Sequence, residues 1–147
     1  MNEANINKDN KAAELAQAIA DAEQQLAKIA KGSMKLEKPI TAAGKEITEL
    51  HWDFRSLTGW EYANALDYDN AGDNVFRITN KQALSLFAAA AAKATTMLND
   101  GGIQIHPLDA QDIKQRMGID DTIKAVQMAT VFFVTSARVG NKRISNA

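Results

Sequence analysis

The sequence predicts a mainly α protein with a small β part (α+β): an N-terminal helix, one β-hairpin, then a compact bundle of about four helices. Three observations carry this. Apolar residues recur at spacings of three and four over most of the 147-residue chain. Strict alternation is confined to one stretch, residues 34–54, folded about Ala43-Gly44. Polar and glycine breaks at Gly32, Gly101-Gly102 and Gly118 cut the remainder into helix-length pieces. The length suits one domain with its own core. The divisions expected are a helical extension over 1–33, a hairpin-plus-helix domain over 34–137, and a flexible basic tail over 138–147.

The first helix is expected over 11–31, KAAELAQAIADAEQQLAKIAK, capped by Asn10 and stopped by Gly32. Leu15, Ile19, Leu26 and Ile29, with Ala12 and Ala22 between, draw one narrow apolar seam. So narrow a stripe suits packing on its own domain, self-association as an oligomerisation seam, or docking onto a partner. The hairpin comes next. Met34, Leu36 and Ile40 alternate with polar residues, as do Leu50, Trp52 and Phe54, giving one wet and one greasy face. Pro39 removes a ladder donor, which fits an edge strand. A lone hairpin is marginal in water, so its greasy face must be covered, either by the domain's helices or by another chain.

Thr58 and Glu61 form a capping box that opens a helix to about Asp67, with Trp60, Ala63 and Leu66 or Ala65 inward. Thr79 and Gln82 form a second box, opening a helix through Leu98 whose inner face carries Leu84, Phe87, Ala91 and Leu98. Pro107 and Asp109 open a short helix to about Met117. Asp120 or Asp121 then starts the last helix, with Ile123, Val126, Ala129 or Thr130, and Phe133 inward.

Little in the sequence points to reactive chemistry. The net charge is −1 and there is no cysteine, so neither a basic nucleic-acid face nor a thiolate or zinc site is expected. No apolar run reaches the ~20 residues that span a bilayer, and the polar start MNEANINKDN precedes no signal-like segment. A soluble protein is expected. Asp67, Asp69 and Gly72 match positions of a calcium loop, but Ile78 stands where a bidentate glutamate is required. An acidic solvated loop is the better reading. His51 shares a strand face with Asp53, yet no nucleophile elbow accompanies them, and His106 belongs to the turn before Pro107. NDGGIQIHP lacks the lysine of a phosphate loop. The reading is of a non-enzymatic protein with no metal and no cofactor, working through its surfaces. Trp52, Phe54, Trp60, Phe132 and Phe133 are either anchors of a helix-binding groove or core residues.

The segment LEKPITAAGKEITELHWDF, with Lys38-Pro39-Ile40, Gly44-Lys45, Ile47-Thr48-Glu49-Leu50 and then Leu57-Thr58-Gly59, resembles the opening of tail assembly chaperones of tailed bacteriophages. The end, HPLDAQDIKQRMGIDDTIKAVQMATVFF, is similar to the two helices that close such proteins. The likeness covers residues 34–136. The 11–31 helix and the loop YDNAGDNVFRIT are additions to the pattern, and the first leaves the oligomeric state open. The resemblance implies an assembly factor of the host cytoplasm, absent from the finished virion. It would coat the tape measure protein and help recruit tail-tube subunits. Its partners would be those proteins and, as an option, copies of itself, with no nucleic acid and no membrane. The rival readings are a structural tail or capsid-completion protein and a small dimeric regulatory protein.

Overall fold

The computed structural model describes residues 3–42, 44–66, 78–100 and 108–145. In chain order these form α1 (Glu3–Ala30), β1 (Lys31–Ala42), β2 (Lys45–Asp53), a 3-10 turn (Phe54–Ser56), α2 (Gly59–Leu66), α3 (Asn80–Asp100), α4 (Ala110–Arg116) and α5 (Ile119–Ser145). The architecture is mainly α with one antiparallel hairpin, as the periodicities require. No helix among the described residues is long and apolar enough to cross a membrane.

The hairpin turns at Gly44, whose φ of 77° is a conformation that glycine adopts without strain. Ile40 pairs with Ile47, Met34 with Leu50 and Gly32 with Trp52. The ladder is irregular between Lys35 and Ile40, around Pro39. There the backbone N–H groups of Glu37 and Lys38 turn away from β2 and donate to Oδ1 and Oδ2 of Asp121, each at 3.1 Å. Asp121 lies in the first turn of α5 and is almost fully buried. One carboxylate thus satisfies two strand donors and ties β1 to the start of α5. Farther along, Thr95 of α3 bonds both the N–H and the carbonyl of His51, at 3.0 and 3.2 Å. The greasy face of the hairpin is therefore closed from within. Leu36, Ile40, Leu50, Trp52 and Phe54 are all buried, with Trp52 tilted against Phe87 and Phe54 stacked on Phe132.

The centre of the molecule is α3, which packs against α5, β2, α4 and α2. Ala83, Leu86, Phe87, Ala88, Ala90 and Ala91 are wholly buried. Burial extends well beyond the single face expected, because four elements surround the helix. Ala125 and Ala129 of α5 are likewise wholly buried, and small side chains allow a close approach of backbones.

Several sequence expectations are corrected. The first helix starts at Glu3 rather than after Asn10, since nothing in 3–10 breaks a helix already propagating. Gly32 is not a helix stop. It sits in β1 opposite Trp52, where a Cβ would fall 2.5 Å from the indole. Trp60 and Ala63 point outward from α2, and Leu66 and Tyr62 take the inner side. In α5 the inner face is Asp121, Ala125, Ala129, Phe132 and Phe133, with Ile123 outside. The segment 138–145 is not a flexible tail. It continues α5, with Val139 buried.

Candidate functional site

Two capping boxes shape an open cleft. Thr58 Oγ1 accepts from Glu61 N–H at 3.1 Å while Glu61 Oε1 accepts from Thr58 N–H at 3.0 Å. Thr79 and Gln82 repeat the exchange at the head of α3, and Gln82 also donates to the Leu66 carbonyl that ends α2. These bonds set α2 alongside α3. On the other side, Leu108 N–H donates to Thr96 Oγ1 at 2.8 Å and Asp109 caps α4. Between α2, α3 and α4 a cleft of about 660 Å³ remains. Ala65, Ala89 and Ala92 form its apolar floor, and Glu61, Lys93, Asp109 and Lys114 border it.

Most of those border groups are already engaged. Lys93 Nζ donates to the Ser56 carbonyl at 2.7 Å and to Glu61 Oε1 at 3.0 Å. The Glu61 carboxyl is held below its usual value, first by the Thr58 N–H and then by the Lys93 ammonium. Among the described residues no three His, Cys, Asp or Glu side chains converge as a metal site would require. His51 Nε2 lies 3.8 Å from Glu49 Oε1, whereas Asp53 caps the 3-10 turn by accepting from Arg55 N–H. His51 and Asp53, which alternate onto one strand face, thus serve different neighbours. Asp67, Asp69, Gly72 and His106 lie outside the described residues.

The aromatic residues divide sharply. Trp52, Phe54, Phe132 and Phe133 are buried and close the core, so these four are not anchors on the surface of the folded chain. The reason is that α3 and α5 cover the hairpin, leaving its greasy face no room for a client. Trp60 alone of the five is outside, 78% exposed, one residue before the cleft residue Glu61. The α1 seam is divided too. Leu26 is buried and Ile19 and Ile29 are half-buried, while Leu15 is exposed. Leu26 and Ala27 share a second cleft, of about 650 Å³, with Ser136 and Val139 of α5. The inner half of the seam therefore rests on α5.

Sequence reasoning placed Ile123 inward, whereas Ile119, Ile123, Met128 and Val131 are outward apolar residues of α5. A signal was present. Ala125 and Ala129, four apart, match the alanines of α3 in size better than Ile123 and Val126 do. No family, curated protein or solved structure matches the chain.

Proposed function

We propose that this protein is a tail assembly chaperone that binds the tape measure protein of a tailed phage. It keeps that helical client soluble and helps bring tail-tube subunits to it, acting in the host cytoplasm and leaving before the virion is complete. No cofactor or catalysis enters this reading. The observation that carries it is Trp60, a large aromatic left 78% exposed one residue before Glu61, which lines a cleft together with Ala65, Ala89 and Ala92. Tryptophan is enriched among residues that dominate binding energy, and a groove floored by small side chains admits the apolar face of a helix. The capping box fixes the first turn of α2, so Trp60 is presented from a rigid element rather than a loop.

Co-expression with the tape measure protein, sought among the neighbouring reading frames, tests the reading. That protein should remain soluble only when this chain is present. Trp60→Ala should weaken the complex about 30-fold, the equivalent of ~2 kcal/mol, while the melting temperature of the free chain stays unchanged. Equal solubility of the neighbour without this chain would reject the proposal, as would recovery of the chain in stoichiometric amounts from purified virions.

A further inference from the structure

We infer that the outward face of α5 is the contact of a two-fold dimer, the occupant being a second copy of this chain. This does not rest on the chaperone reading and uses a different surface. Asp120 and Arg138 are both exposed on α5. Eighteen residues are five helical turns, so the two lie on one line of the helix, about 27 Å apart. Neither forms an ion pair among the described residues. Along the line between them run Ile123, 52% exposed, Gln127, and Val131, 49% exposed.

The pattern is self-complementary in one orientation. A two-fold axis through the level of residue 129 sets two α5 helices antiparallel. Asp120 then faces Arg138 of the second copy, Ile123 faces its Thr135, and Gln127 faces its Val131, each pairing occurring twice. A parallel arrangement would set Asp120 against Asp120 and Arg138 against Arg138. A strip ~27 Å long and roughly 10 Å wide is small beside the ~800 Å² that each partner buries in a standard interface. The dimer is therefore one that dissociates on dilution.

Sedimentation velocity over a concentration series tests this on the full chain. Mass should rise from monomer to dimer with concentration, and added salt should oppose the rise. Asp120→Arg and Arg138→Asp should each raise the dissociation constant about tenfold or more, because like charges then meet twice. Combining both reversals should return it to the starting value. Val131→Glu should abolish the dimer, and unchanged melting of each variant shows that folding is intact. Leu15→Asp on α1 should leave the dimer as it was. A monomer at every concentration, single reversals without effect, a double variant that stays weak, or loss of the dimer with Leu15→Asp would each overturn the inference.

Discussion

Two alanine-rich helices, α1 and α3, have opposite fates in this molecule. In α3 the alanines at 83, 88, 90 and 91 are wholly buried, because α5, β2, α4 and α2 all close on that helix. In α1 every residue from 9 to 17 is exposed, Ala12, Ala13 and Ala16 included. Geometry explains the second case. Phe132 of α5 stacks on Phe54 near the start of β1, and α5 runs on to Ser145. At a rise of ~1.5 Å per residue those last turns extend about 20 Å, enough to accompany α1 back from Ala30 to about residue 17. From there back to residue 9 the side chains of α1 lie open to solvent. Alanine in α1 serves helix propensity, whereas alanine in α3 serves the spacing between packed elements. The same residue type answers two different demands, and only the surroundings say which.

Substitutions should separate these demands, beginning with the largest effect. Ala91→Leu inserts three carbons into a filled site and should cost about 3 kcal/mol. Ala13→Leu on α1 should stay within about 0.5 kcal/mol, and urea midpoints compare the two. An equal loss at both sites would erase the distinction. Asp121→Ala leaves the N–H groups of Glu37 and Lys38 without their acceptor and should cost about 2 kcal/mol. Amide exchange should then speed up at those two positions ahead of the rest of β1. Gly32→Ala drives a methyl into the Trp52 indole across the ladder. It should cost roughly 1–2 kcal/mol and change the tryptophan emission, which Gly44→Ala, with open space around it, should not.

The smallest effect concerns pH. The Glu61 carboxyl is depressed by the Thr58 N–H and then by Lys93. A depressed folded value gives stabilisation that is present above the ordinary value of 4.5 and is lost as pH falls through the lowered one. Glu61→Gln should therefore flatten the stability profile in that acidic window and leave its slope near neutrality unchanged. Denaturant midpoints measured at a series of acidic pH values read this directly.

What the sequence made legible was local. Thr58 with Glu61 and Thr79 with Gln82 are signals three residues long, and both boxes form. Alternation from Met34 to Phe54 located the hairpin and the side of it that is buried. What escaped depended on distant neighbours. Trp60 and Ile123 were expected inward on apolar character alone, yet the inner positions went to the residues whose size fits α3 and the hairpin. Gly32 resembled a helix terminator, since its demand comes from Trp52, twenty residues later. Asp121 looked like a cap for its own helix, and its role as acceptor for β1 arises only when the strand's irregular stretch is brought against it. For the candidate site, Trp60 was identified from sequence as one of five equivalent aromatics. Packing alone distinguishes it from the other four.

The joint between α1 and β1 has no intervening loop, since Ala30 ends the helix and Lys31 begins the strand. A 28-residue helix is a rod of about 42 Å, so α1 is a boom fixed at its base rather than a tether. A fluorophore on its outer turns should keep a narrow distribution of distances to one on β2. Inserting two or three glycines at the joint should broaden that distribution and uncouple the boom from the sheet.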